Sequence, residues 1–268
     1  IALWLGTSWS IFPAYQREDK PAIPTALVQA EIILPSGKEL RITSDESWKT
    51  HASPNTLLGY WEAHHFEGEC YDAALEKDNW NAIDFDDSDW EQVKVYHPAL
   101  KVSSDRTEPN RLIQEITPLS IQEITPGVYR VDMGVNYAGW FEMQLKGQPG
   151  DSIVFQFSER EKDVCSYGIH SIYKVGPKRK GTFCNRFNYM TGRWVQISGL
   201  RYKPTIDQIR GWMIRPDYRR SGGFECDIPL LNNIYRTTLW TLENLSLGNY
   251  VVDCPHRERR GYGGDALA

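Results

Sequence analysis

Apolar and polar residues alternate in short runs over the first two-thirds of the chain, the two-residue period of strands that bury one face. Residues 27–34 alternate up to Pro35-Ser36-Gly37, and residues 39–43 resume the pattern, which predicts a hairpin. Comparable runs at 127–132, 139–145, 152–157 and 194–197 are separated by Gly and Pro at the intervals of sandwiches and jelly rolls. The pattern fades between Asp78 and His97, and residues 101–110 are polar with a Pro, so a domain boundary is placed there. After Tyr218 the period changes. Asp227 followed by Pro229 predicts an N-cap and a first turn, and Ile228, Leu231, Ile234, Tyr235, Leu239, Leu242 and Leu245 fall at helical spacing. Gly248 predicts the stop. The expected fold is mainly β: a β-sandwich over 1–103, a second over 104–217, and the beginning of a helical domain over 218–268.

Composition narrows the partners. The chain has 268 residues, 41% apolar and 24% charged, with a net charge of −5, so no basic excess exists to follow a phosphate backbone and nucleic acid is excluded. No apolar run approaches the roughly 18 residues of a membrane span. Ten Trp, fourteen Tyr and nine Phe suit a β-rich core, and they also suit surfaces that stack on sugars. The cysteines at 70, 165, 184, 226 and 254 form no C-x-x-C pair, which removes a zinc ribbon or a redox motif and leaves the compartment open. Residues 1–6 alternate like the interior of a strand, without a start Met or a basic leader, so the chain is expected to begin within a domain.

Several candidate motifs reduce to structure. The acidic run 84–90 fails the EF-hand pattern, because Asp89 stands where the loop needs Gly and Val95 where it needs Glu; it reads as a solvated turn with Trp90 packed beneath. Glu62, His64, His65, Glu67 and Glu69 are metal-ligand types, but adjacent His residues on a strand point to opposite faces, so structural or surface roles are expected. Lys178-Arg179-Lys180 reads as a basic turn. No G-x-G-x-x-G, P-loop or G-x-S-x-G occurs, and no cofactor or metal is assigned.

The segment 253–265, DCPHRERRGYGGD, directly follows the predicted helix. Pro255, Gly261, Gly263 and Gly264 forbid regular structure, so it is a loop. Asp253, Glu258 and Asp265 alternate with Arg257, Arg259 and Arg260. One reading is a surface ion-pair network. The other is half of a glycosidase site, in which carboxylates and guanidiniums bind sugar hydroxyls and one protonated carboxyl serves the leaving oxygen. Neighbouring carboxylates favour that proton and the guanidiniums oppose it.

At these residues the chain resembles the inverting α-L-rhamnosidases, glycoside hydrolase family 78, whose usual signature is Asp-Cys-Pro-x-Arg-Asp-Glu-Arg-x-Gly-Trp-x-Gly-Asp. Residues 223–232 are similar to that family's entry into its helical barrel. Residues 46–48, 68–73 and 85–90 are similar to its N-terminal sandwich, and residues 136–140 and 147–150 to its concanavalin-like second sandwich. The resemblance implies two sandwiches followed by the first helix and catalytic loop of an (α/α)6 barrel. It implies that Glu258 is the general acid, that Asp253 and Asp265 hold rhamnose hydroxyls, and that Tyr262 takes the place of a sugar-contacting Trp. Between Pro255 and Gly261 this chain is one residue shorter than the signature and lacks an acidic residue, so Arg257, a further substrate-binding candidate, aligns from either side.

The resemblance further implies a general base that is a Glu from later in the barrel. The 268 residues are therefore expected to be a truncated, inactive piece of a hydrolase that acts on a terminal α-L-rhamnoside in a glycoside or polysaccharide. The rival from another class is a non-catalytic carbohydrate-binding sandwich protein. Oligomeric state is not read from the sequence.

Overall fold

A computed structural model describes residues 1–6, 24–59, 66–97, 103–248, 250–261 and 263. His64, His65, Tyr262 and Asp265 lie outside the described residues. The chain divides into one compact unit of residues 1–54 with 75–104 and a second of 55–74 with 105–268.

In the first unit the expected hairpin forms from β1 (Gln29–Ile33) and β2 (Glu39–Thr43). Gly37, at φ +79°, takes the left-handed conformation that closes its turn, and the Leu34 amide donates to the Lys38 carbonyl. Next come β3 (Lys49–Thr50), then β4 (Asn55–Leu57) and β5 (Glu69–Asp72) of the second unit, then β6 (Glu91–Gln92), which pairs with β3. The acidic stretch is a turn, as its failed calcium pattern implies. Asp86 accepts the Ser88 amide, Lys49 and Lys77 neutralise Asp87 and Asp89, and Trp90 packs edge-on against Phe85. Residues 1–6 alternate but form no strand. No described strand pairs with them, so Ile1, Leu3 and Leu5 are exposed, while Trp4 is fixed by Ser53 and the edge of Trp80.

The second unit continues with β7 (Asn110–Ile116), β8 (Ser120–Thr125), β9 (Val128–Lys146), β10 (Ser152–Ser158) and β11 (His170–Lys174). It then runs through β12 (Lys180–Cys184), β13 (Met190–Ser198) and β14 (Ile209–Pro216). Among the described residues these form one sheet in the order β4-β5-β11-β10-β13-β9-β14-β7, with β8 and β12 also paired to β9. The β5–β11 pairing is parallel and the other pairings are antiparallel.

Strand β9 organises this unit. The runs at 127–132 and 139–145 were separate by pattern, yet they join into one 19-residue strand. Its first part pairs with β8 and β13, and its second with β12 and β14. Gly134, at φ +80°, lies just past the end of the β8 pairing, while the β13 pairing continues to Gly139, where β14 begins. Around β9 the rings of Phe141, Phe155, Phe157 and Phe183 pack at centroid distances of 4.8–5.7 Å. Tyr137, Met143, Ile153, Val195 and Ile197 complete the core.

The change of period after Tyr218 is a helix, α1 (Pro229–Leu245). Two details differ from the sequence expectation. Ile228 rather than Asp227 is the N-cap, with Pro229 opening the first turn and no side-chain cap bond; and the helix ends at Leu245, with Ser246 as its C-cap, before Gly248. Gly248 instead supplies the positive-φ turn between β15 (Ser246–Leu247) and β16 (Tyr250–Val251).

Candidate active site

The loop that follows β16 is held at both ends. Val252 donates to the carbonyl of Leu245, which ties the loop to the end of α1, and Asp253 donates to the carbonyl of Arg260. The Asp253 carboxylate returns to the Arg260 amide at 3.0 Å. Arg257 and Arg259 both donate their amides to the Cys254 carbonyl. A closed turn results, without regular structure, as the proline and glycines require.

Helix α1 is seated on the sheet by polar groups. Glu243 and Asn244 are buried. Asn244 accepts the Ala138 amide of β9 at 2.8 Å and donates to the Trp240 carbonyl, and the Trp240 indole donates to the Asn136 carbonyl. By contrast Ile228, Leu231, Ile234 and Leu242, on the apolar stripe that defined the helix, are exposed.

Between α1 and the loop lies a cavity of about 730 Å³. Thr237, Thr238, Thr241 and Leu242 form the helical wall; Asp253, Cys254, Arg257 and Glu258 form the loop wall. Arg257 Nη2 donates to Glu258 Oε2 at 2.8 Å, and this bond holds the guanidinium pKa above its ordinary value. Burial raises the pKa of Asp253, but a hydrogen bond with Glu258 and the backbone amides of Cys254 and Arg260 outweigh it and hold the carboxyl below the ordinary range. The ligand atoms of Asp253, Cys254 and Glu258 lie within 4.8 Å of one another, close enough for a cation, although Arg257 already occupies one Glu258 oxygen.

The back of the loop is anchored through Arg259. Its guanidinium is buried over the Tyr189 ring, 3.9 Å from the centroid, and the burial lowers its pKa. His256 points elsewhere, to Glu159 at 3.1 Å and against the Tyr167 ring.

Three α-L-rhamnosidase domain models match the chain in order. The N-terminal domain model matches residues 1–114, the bacterial concanavalin-like domain 122–215, and the bacterial six-hairpin glycosidase domain 219–268. The chain belongs to the α-L-rhamnosidase family. It is 28% identical over 278 residues to an α-L-rhamnosidase of Formosa agariphila, covering 97% of this chain and 28% of that protein. It is 25% identical to one from Streptomyces avermitilis, covering 98% and 26%. Among solved structures, the α-L-rhamnosidase from Dictyoglumus thermophilum matches with a TM-score of 0.81 at 30% identity, over 91% of this chain and 28% of that one. The Streptomyces avermitilis enzyme complexed with L-rhamnose matches in fold with a TM-score of 0.82 at 24% identity, over 97% and 26%. The chain thus spans about a quarter of the length of these relatives.

Of the residues singled out by the rhamnosidase signature, Asp253, Arg257 and Glu258 come together at the cavity, whereas Tyr262 and Asp265 lie outside the described residues. The threonine wall of α1 was not foreseen. Thr237, Thr238 and Thr241 interrupt the apolar stripe at helical spacing, and that interruption is the signal that could have found them. The partners of Arg259 were invisible to sequence, because Asn188 and Phe66 are 71 and 193 positions away.

Proposed function

We propose that this chain forms the general-acid half of an α-L-rhamnosidase that releases terminal α-L-rhamnose with inversion. What supports the reading is the Glu258 carboxyl, bonded to Arg257 and within 4.8 Å of the Asp253 carboxylate on the wall of the cavity between α1 and the loop. In the proposed reaction Glu258 gives its proton to the glycosidic oxygen as the bond from that oxygen to the anomeric carbon breaks. A water on the opposite face of the ring attacks that carbon and loses its proton to a second carboxylate. That base is proposed to come from residues outside these 268, with the helical barrel that carries it. Asp253 is assigned a rhamnose hydroxyl. Arg257, Tyr262 and Asp265 are assigned the remaining sugar contacts. The working domain division is 1–103, 104–217 and 218–268.

The test is Glu258→Gln in the full-length protein, assayed on an aryl α-L-rhamnoside with a poor leaving group. The expected loss of kcat is about 10²–10⁴-fold, the range of general acid catalysis. Near-wild-type release of rhamnose would remove Glu258 from the mechanism. Residues 1–268 alone are expected to bind but not to turn over substrate, and hydrolysis by that purified piece would refute the external base.

A further inference from the structure

Arg259 directly follows the proposed acid. It is 2% exposed, and its backbone, at φ +54°, adopts a conformation that side-chain-bearing residues rarely take. Something must hold it there. Its guanidinium lies between the rings of Tyr189 and Phe66, at 3.9 and 4.8 Å. It donates to the carbonyls of Pro255 at 2.7 Å and Tyr189 at 3.0 Å, and to Asn188 Oδ1 at 2.5 Å.

Asn188 is itself pinned. Its side-chain amide donates to the Phe66 carbonyl, and its backbone amide donates to Glu69, each at 2.8 Å. Glu69 is fully buried on β5 and gathers the turn before β13. It accepts the backbone amides of Arg186 and Phe187 and the side-chain amides of Asn55 and Asn185. Burial raises the Glu69 pKa, and the bonds from Phe187, Arg186, Asn188 and Asn55 oppose that rise. Sheet residues far from the loop in sequence therefore shape a socket for one loop guanidinium. A buried guanidinium that leaves such a socket strands both itself and its acceptors, so the loop is fixed at 259.

We infer that the Glu69–Asn188–Arg259 chain sets the direction in which Glu258 presents its carboxyl, with Asn188 and Arg259 as positioning residues for proton transfer. The inference rests on Glu258 being the general acid. Proton transfer needs a heavy-atom separation of about 2.6–3.2 Å, and an ångström of misplacement costs about 10²-fold. The demand differs between substrates. A leaving phenolate that is stable without a proton does not need the acid; a poor leaving group does.

The experiment compares Arg259→Lys, Asn188→Ala and Glu258→Gln in the full-length protein, on phenyl and 2,4-dinitrophenyl α-L-rhamnosides. Arg259→Lys and Asn188→Ala are expected to lose at least about tenfold more kcat on the phenyl substrate than on the dinitrophenyl one, with KM little changed. A purely structural role would lower both substrates equally through the folded fraction, and equal losses overturn the inference. If Glu258→Gln itself discriminates between the substrates and the other two variants do not, the positioning role fails alone. If Glu258→Gln shows no discrimination, the acid assignment has failed instead. Failure of both positioning variants to fold, judged by circular dichroism while Glu258→Gln folds, also overturns the inference, since the contacts then serve folding only.

Discussion

Glu243 and Arg220 form a two-pronged ion pair, with Nε and Nη2 of the guanidinium 2.7 and 2.8 Å from the two carboxylate oxygens. The carboxylate is buried at the C-terminal end of α1, whereas half of the Arg220 side chain is exposed. Arg215 of β14, itself nearly buried, approaches the same carboxylate at 3.6 Å. The two arginines therefore have unequal consequences. Glu243→Ala leaves Arg215 without its carboxylate in a desolvated site and is expected to cost about 3–5 kcal/mol. Arg220→Ala leaves the Glu243–Arg215 contact and, given its exposure, is expected to cost about 1 kcal/mol. Urea denaturation of both variants reads the difference. Equal costs would mean that the Arg215 contact is immaterial.

Asn244 begins the sequon Asn244-Leu245-Ser246, yet its side chain is committed to the Ala138 amide and the Trp240 carbonyl. No glycan is expected on Asn244 when the chain is made in a glycosylating host, and a mass increment there would contradict its burial. Asn244→Leu is expected to lose about 1–3 kcal/mol, because the Ala138 amide stays buried without an acceptor. Denaturation midpoints supply the check.

Much of this architecture follows from local pattern, and the parts that do not share one cause. Alternation located β1, β2, β10 and β13: the Pro35-Ser36-Gly37 turn sets the register of β1 on β2, and β10 and β13 each turn alternate residues into the core. Helical spacing located α1 to within a residue at its start, but not the face it buries. Several leucines and isoleucines of the stripe are exposed, whereas Glu243 and Asn244 are buried, held by partners 23 and 106 positions away. Strands β4 and β5 were missed for the same reason. Each is short, and β5 pairs in parallel with a strand about a hundred residues later, where no local turn announces it. At the site, the signature marked the residues facing the cavity and was silent about Glu69, Asn188 and the role of Arg259, which hold the loop from behind.

Asp151 gives the second unit an acid-sensitive clamp. Arg201 donates to both its oxygens, at 2.7 and 2.8 Å, and the Gln148 amide adds a third bond. The arginine bond, followed by the Gln148 amide, lowers the carboxyl pKa to about 2. As pH falls below about 4, the unfolded carboxyl takes up a proton first. The native one resists until about pH 2. Its stabilisation is therefore complete above the unfolded value and is lost across that window. Asp151→Asn is expected to flatten the fall in urea midpoint between pH 4.5 and 2.5 relative to the parent, at about those values. Superimposable midpoint curves would exclude the clamp.

Gly139 has the opposite problem from the turn glycines: no unusual φ, but no room. A Cβ there would lie 1.8 Å from the Trp212 carbonyl oxygen and 2.9 Å from the carbonyl carbon, both backbone atoms of the paired strand β14. Neither can swing aside as a side chain would, so Gly139→Ala must part β9 from β14. Strand β14 carries Arg215, and the preceding residue on β9, Ala138, supplies the amide that seats Asn244. The displacement should therefore reach α1 and, through it, the cavity. A cost of about 3 kcal/mol is expected, at the upper end for overpacking. Gly150 is the matched control. It has φ +88° and nothing within 4 Å of a built Cβ. Gly150→Ala meets only backbone strain, about 1 kcal/mol, and leaves α1 undisturbed. Denaturation should rank Gly139→Ala as the more damaging, and loss of tryptophan near-ultraviolet signal should accompany it alone. A reversed order would mean that strand spacing at β9–β14 does not govern the seat of α1.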